Sequence, residues 1–563
     1  MKEEIKGLYW AIFLSAVAVL VINWLWPNNP QSNVVEETDI QVAEQVKKPN
    51  FANDEATLYS PKGREIATVE DALLKDRRVT IKNNKIAGSL RLKGARFDSL
   101  NLLKYKQSLA EDSEAVVLLQ PSGTQAPYYA EFGWLGKGDV VVPDQNTQWK
   151  LIGQELTPST PILLEWNNGQ GIKFLRKISV DENYMFTIEQ MVENKSGRDI
   201  TLYPYGMINK VYIPDDNSSK VVHEGMLGVV DGSLKEIAPN KFDAGESKEF
   251  ESKSGWAGFG ERYWFSAFVL NNDARQNKVR FSKTAEDTFQ TDFVGAPLEI
   301  ETGSIGSSNV KFYAGAKEIA LLDEYEKKQG IDKFDLAVDF GWYYFLTKPF
   351  FYILDFLYHI IGNMGWAILL FAALLRLVMF PVANKSYESM SKMKKVQPKI
   401  QAIQQTYSND KMRQQQAMME LYRKEKINPA SGCLPMFIQI PVFFSLYKVL
   451  NIAIEIRHAP FIGWIKDLSA PDPMTLSAMS GLPIPAFLDL GVWPILMGLT
   501  MYMQQKLSPK PANKDQARMM MLLPIVFTFM LGHFASGLVI YWTLSNVLSI
   551  IQQKAIMYKF GVK

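Results

Sequence analysis

The sequence predicts an all-α polytopic membrane protein of six transmembrane helices, with a large β-sandwich domain on one side of the membrane and a helical hairpin on the other. Three observations predict it. Residues 341–563 are strongly apolar and hold most of the 23 methionines, whereas residues 27–340 are polar and mixed. Between Glu55 and Ala316 apolar residues recur with a period of two, the mark of half-buried strands. Finally, the apolar run Trp366–Pro381 reads as a spanning helix but contains Arg376. A cation in that position costs about 2.5–3.5 kcal/mol on insertion scales, so it marks a functional site.

The elements follow in chain order. Leu8 to Trp26 is free of charge and long enough to cross a ~30 Å hydrocarbon core. Lys2 and Lys6 precede it, and Trp24 and Trp26 close it as interfacial anchors. Residues 1–26 are therefore expected to be an uncleaved anchor. The alternative is a cleaved signal peptide, Ser15–Ala18 being weakly cleavage-like. Residues 27–54, rich in Asn, Gln, Pro and acidic side chains, read as a flexible tether. Residues 55–339 form the β domain, with turn signals at Asn83-Asn84, Asn167–Gly169, Asn194–Gly197 and Asn271–Asp273. Its last part, Glu318–Gln329, is amphipathic and helical.

Residues 340–361 are aromatic and apolar but are interrupted by Lys348, Pro349, Asp355 and His359, which suits a helix lying in the membrane interface. Residues 362–383 hold the second span and residues 384–428 the hairpin. Residues 429–563 supply four more spans: Leu434–Ala453, Trp493–Gln505, Met519–Phe534 and Leu538–Ile551. Several are short or carry Pro435, Pro441, Pro494 or Pro524, which neighbouring helices can accommodate.

Loop charges orient the chain. Residues 384–428 carry ten Lys/Arg against four Asp/Glu, and loop 506–518 carries Lys506, Lys510, Lys514 and Arg518 against Asp515. The intervening loop 454–486 has only Arg457 and Lys466. Positive charge stays inside, so both termini and the hairpin are cytoplasmic and the β domain lies outside.

Composition excludes several functions. The single cysteine, Cys433, forms no intrachain disulfide, and the four histidines show no metal-ligand spacing. There is no glycine-rich phosphate loop, nucleophile elbow or zinc-protease motif, hence no case for a cofactor. A net charge of +2 gives no reason to expect DNA as a partner.

Two groups of residues carry the functional expectation. Arg376 lies five residues before Pro381 and eight before Asn384, about 12 Å from the cytoplasmic edge at 1.5 Å per residue. That is deeper than a snorkelling side chain sits, which favours a hydrated cavity over a simple anchor. Gln439, Thr500, Gln504, Thr528, Thr543, Ser545 and Asn546 are polar residues of the spans able to line the same cavity. The competing reading gives each of them a hydrogen bond to a neighbouring helix. The second group is the hairpin, where Tyr387, Met390, Met393, Val396 and Ile400 recur at helical steps, followed after Ser408–Asp410 by Met412 and Met419. Pro398 is expected to kink the first arm. With Lys394 and Lys395, this reads as an adaptable methionine surface beside basic residues that face lipid headgroups or RNA, or as a hairpin packed only on itself.

These landmarks occur together with longer motifs: Asn428-Pro-Ala-Ser-Gly-Cys-Leu-Pro-Met-Phe-Ile-Gln-Ile-Pro441, Ser536-Gly-Leu-Val-Ile-Tyr-Trp-Thr-Leu-Ser-Asn546, Pro381–Met390, Gln397–Ile400 and Ile462–Pro473. On these, the whole chain resembles the YidC/Oxa/Alb membrane-protein insertase family. The resemblance implies a bacterial inner-membrane protein with a periplasmic supersandwich domain like that of sugar mutarotases, without known catalysis. It implies a hydrophilic groove open to cytoplasm and lipid, Arg376 as the groove arginine, and Phe443, Tyr541 and Trp542 as substrate-contacting positions. The implied partners are nascent membrane proteins, the Sec translocon, translating ribosomes and the lipid bilayer. Two positions depart from the pattern: Trp542 stands where a second tyrosine is common, and Ala372 replaces a hydroxyl residue of some members.

Two other readings predict different features. A polytopic transporter or channel with a periplasmic receptor domain calls for paired repeats or an ion-coupling carboxylate, and the sequence shows neither. An anchored sugar-modifying enzyme would place its activity in the β domain, which shows no convergent acidic pair or His/Asp cluster.

Overall fold

A computed structural model describes residues 67–212, 222–270, 276–285, 288–425, 427, 434–509 and 514–561. The expected anchor Leu8–Trp26, the tether 27–54, the turn Asn271–Asp273 and the start of the Asn428–Pro441 motif lie outside these residues.

The period-two sequence folds as two antiparallel sheets of ten and nine strands among the described residues. One runs in the order Arg78–Lys82, Ile86–Arg91, Arg96–Lys106, Tyr128–Gly136, Ile200–Val211, Thr288–Val294, Asn277–Ala285, Ser247–Ser252, with Ala115–Leu119 paired to Arg96–Lys106 and Leu298–Ile300 to Ile200–Val211. The other runs Ser233–Ile237, Gly225–Val230, Gly255–Gly260, Trp264–Leu270, Ile305–Ala316, Met185–Asn194, Ile172–Val180, Ile162–Asn167, Lys150–Ile152. Strand Ile172–Val180 shows why they stack: every second residue is buried, so one face enters the core. Phe97, Phe132, Phe186 and Phe312 meet between the sheets with ring centroids 5.2–6.1 Å apart. The asparagine turns work as expected, Asn83 Oδ1 accepting from the Lys85 and Ile86 amides at 2.8 Å.

Ten α-helices follow the numbering α1 Val69–Leu74, α2 Ile319–Gln329, α3 Tyr344–Ile361, α4 Met364–Thr406, α5 Lys411–Lys424, α6 Leu434–Ile452, α7 Leu476–Ser480, α8 Val492–Leu507, α9 Lys514–Leu531 and α10 Ser536–Lys559 among the described residues. Of these, α4 is the one long and apolar enough to cross a membrane, and Phe437–Ile452 and Ala517–Leu531 are shorter apolar stretches. Helices α6, α8, α9 and α10 cover the other stretches expected to span.

Gly362, with φ +76°, ends α3, and Asn363 caps α4 by accepting from the Trp366 amide at 3.1 Å. From there α4 runs unbroken through Pro381 and Pro398 to Thr406, so the Arg376 helix and the first hairpin arm are one element. Gly498 lets α8 and α9 approach closely, since a Cβ there would lie 2.0 Å from Thr528 Oγ1.

The β domain is fastened to the helices by charge. Lys348 of α3 reaches Asp335 at 2.6 Å and Asp323 of α2 at 3.0 Å. Lys448 of α6 pairs with Asp339 at 2.6 Å. One turn on, Arg262 of the β domain donates to the carbonyl and side chain of Asn451 at 2.7 and 3.1 Å. The helix α6 is thus held at its C-terminal end by the β domain.

Candidate functional site: a cleft between three helices

Helical spacing builds the site. On α4, Ala372, Leu375, Arg376, Met379, Val382 and Ala383 share one face at three- and four-residue steps. On α10, Tyr541, Ser545, Ser549 and Gln553 fall four apart, all buried. Together with Ile438, Gln439 and Val442 of α6, the first parts of these stripes line an open cleft whose space, counted with the adjoining solvent, is about 450 Å³.

Arg376 enters this cleft half-buried. Its Nη2 donates to the Ser545 carbonyl at 3.0 Å and to Ser545 Oγ at 2.9 Å. Those are its hydrogen bonds among the described residues, and no carboxylate there lies within ion-pair distance of it. The helix therefore offers a cation anchored at one nitrogen, whose remaining N–H groups make no hydrogen bond among the described residues. Gln439 Nε2 donates to Tyr541 Oη at 3.0 Å across the opposite wall.

The other sequence-selected residues form two neighbouring groups. Phe443 and Trp542 pack with ring centroids 4.6 Å apart, beside Phe527 and Met497. Asn546 donates to Thr500 Oγ1 at 3.1 Å, joining α10 to α8. Thr528 and Thr543 return their hydroxyls to the carbonyls of Pro524 and Val539 within their own helices. Gln504 is half-buried on α8 and does not line the cleft.

Ser545 was legible only as one polar residue among several, because its pairing with Arg376 is tertiary. Sequence reasoning missed Asn384 and Gln552, which close one end of the α4–α10 seam at 2.8 Å. The signal available was Asn384 itself, two turns beyond Arg376.

In the hairpin, Val396, Ile400 and Ile427 form a small core, and Met393, Leu421 and Tyr422 pack on it. Met393 is therefore part of the hairpin's own seam, while Met412 and Met419 are exposed. Met390 and Lys394 are half-buried and Lys395 is exposed. Lys399 and Glu425 clasp the two arms at 2.6 Å.

Similarity to known proteins agrees with this architecture. Residues 78–353 match the YidC periplasmic domain, and residues 356–562 match the family described as 60Kd inner membrane protein. A membrane protein insertase YidC of Beijerinckia indica is 43% identical over 100% of this chain and 97% of its own. That of Bradyrhizobium diazoefficiens is 44% identical over 95% of this chain and 88% of its own. That of Rickettsia bellii is 42% identical over 98% of this chain and 99% of its own.

Proposed function

This chain belongs to the YidC family of membrane protein insertases, and we propose that it inserts its clients through the cleft around Arg376. The chain is a membrane protein insertase with a periplasmic β-sandwich domain, placed at the inner membrane. On our reading it crosses the membrane six times with both termini in the cytoplasm, as the loop charges require. The first of those crossings is the Leu8–Trp26 segment.

One observation carries the proposal: a half-buried arginine on the long apolar helix faces a mostly apolar cleft, is held there by the neutral Ser545, and has no carboxylate partner among the described residues. A charge in that place pulls water and polar chain into the membrane's depth. A client's hydrophilic, often acidic, outer segment then travels part of its way inside the cleft. Its apolar segment leaves sideways into lipid, where burial of ~20 residues supplies the driving force. The membrane potential adds to the pull on acidic residues moving outward, at roughly 2.3 kcal/mol per charge per 100 mV.

No covalent step is needed on this account, and no bound cofactor. Phe443 and Trp542 offer an apolar ledge beside the cleft for the departing segment. The basic hairpin and loop 506–518 are the surfaces for the translating ribosome, and clients arrive either directly or from the Sec translocon. The related insertases' names support insertion over transport.

Photo-crosslinkers placed at Tyr541 and Gln439 test the proposal. Adducts with nascent chains during insertion are expected, and their absence while insertion proceeds normally would remove the cleft from the mechanism.

A further inference from the structure

Helix α3 has two faces with different partners. On one, Tyr344, Lys348 and Tyr352 fall at four-residue steps, and all three donate to carboxylates of the β domain. Tyr344 Oη donates to Asp335 and Tyr352 Oη to Asp323. Between them the Lys348 ammonium reaches Asp335 at 2.6 Å, Asp323 at 3.0 Å and Tyr344 Oη at 3.1 Å.

This is not a surface ion pair. The Lys348 side chain is 19% exposed, that of Asp323 11% and that of Asp335 5%. With Glu326 beside them, these carboxylates bring oxygens within 4.8 Å of one another. Removing the ammonium leaves like charges facing each other where little water reaches them, which is strongly destabilising. The hold of the β domain on α3 therefore depends on Lys348.

The other face of α3 is apolar. Phe350, Phe351, Leu354 and Leu357 are buried on it, and Phe350 meets Phe371 of α4 edge to face with ring centroids 4.9 Å apart. Phe371 adjoins Ala372, which lines the cleft, and lies five residues, about 7.5 Å along the helix, from Arg376. Helix α4 is thus held at Phe371 by α3 and at Arg376 by Ser545 of α10.

We propose that Lys348 is a positioning residue for insertion: by holding α3 on the carboxylates of the β domain, it fixes where α4 presents Arg376 to the cleft. The inference rests on the charge-based reading of Arg376 given under Proposed function. The route runs from Lys348 along α3 to Phe350, across to Phe371 and along α4 to Arg376. Close-packed interiors compress little, so a shift of α3 is passed on to α4.

The test compares two clients in vesicles holding the full-length protein, one with an acidic outer segment and one in which those acids are replaced by their amides. Lys348→Met is expected to slow the acidic client several-fold and the neutral client little. Adding Lys348→Met to Arg376→Ala is expected to slow the acidic client no further, because both substitutions act through one charge. Phe350→Leu weakens the contact with Phe371 and leaves the ion pairs alone, and the same selective loss is expected of it. It carries the comparison if Lys348→Met does not accumulate as folded protein. Equal slowing of both clients, a loss that adds to that of Arg376→Ala, or an unslowed acidic client overturns this inference alone. Insertion of both clients by Arg376→Ala at the unsubstituted rate overturns the reading of Arg376 and this inference with it.

Discussion

Arg376 and Ser545 lie 169 residues apart and share two hydrogen bonds through a single guanidinium nitrogen, one to the serine carbonyl at 3.0 Å and one to its hydroxyl at 2.9 Å. The contact fixes where the arginine sits between α4 and α10 without neutralising it. Serine offers dipoles and no charge, so the field of the cation remains available to whatever enters the cleft.

Ser545→Ala separates anchoring from charge. It removes the hydroxyl and leaves the carbonyl. A loss of about 1.5–3 kcal/mol in stability is expected, the scale of one hydrogen bond to a charged group. Thermal unfolding in nanodiscs reads that loss, while client insertion stays near the unsubstituted level because the cation remains.

The hairpin core gives a second prediction. Ile400→Ala removes buried side chain from the Val396–Ile400–Ile427 core, at a cost of about 2–5 kcal/mol to the local fold. Met412 is 76% exposed, and Met412→Ala should change stability by about 0.5 kcal/mol or less. Hydrogen exchange over residues 393–427 distinguishes the two: faster exchange is expected for the first substitution and none for the second.

Glu455 gives a pH dependence just beyond the C-terminal end of α6. Burial pushes its carboxyl up to about 7, and its Oε2 has no partner among the described residues. A raised acid binds its proton more tightly in the folded state, so it favours folding at low pH. That contribution is lost as pH rises from the unfolded value near 4.5 through about 7. Glu455→Gln should flatten stability across that window and raise it at pH 8, as measured by chemical denaturation at several pH values. An unchanged pH profile would sink the assignment.

The clamp between the β domain and α6 is also testable. Lys448→Asp places like charge against Asp339 and should loosen the C-terminal end of α6, and adding Asp339→Lys should restore it. Protease sensitivity of the 331–343 segment reports both outcomes.

Much of this was legible in the sequence. Arg376 announced itself as a charge in an apolar run, and the period-two pattern between Glu55 and Ala316 gave the strands of the β domain. The three- and four-residue spacing of Met393, Val396 and Ile400 already placed them on one face. What remained hidden was tertiary. Strand Ile200–Val211 pairs with Tyr128–Gly136 and Thr288–Val294, segments some 70 to 90 residues away, and no local pattern encodes that choice. The continuity of α4 was obscured by Pro381 and Pro398, both of which are exposed on the unbroken helix. Met393 was read as part of an adaptable surface because periodicity identifies a face without saying what covers it.

The central claim is that Arg376 acts by its charge inside the cleft. Insertion of a client with an acidic outer segment, measured in vesicles reconstituted with Arg376→Lys, Arg376→Ala and Arg376→Glu, tests it most directly. The account predicts that lysine retains most of the insertion rate, alanine loses much of it, and glutamate lowers it by roughly tenfold or more, equivalent to at least about 1.4 kcal/mol. Insertion by Arg376→Glu at the unsubstituted rate would contradict it.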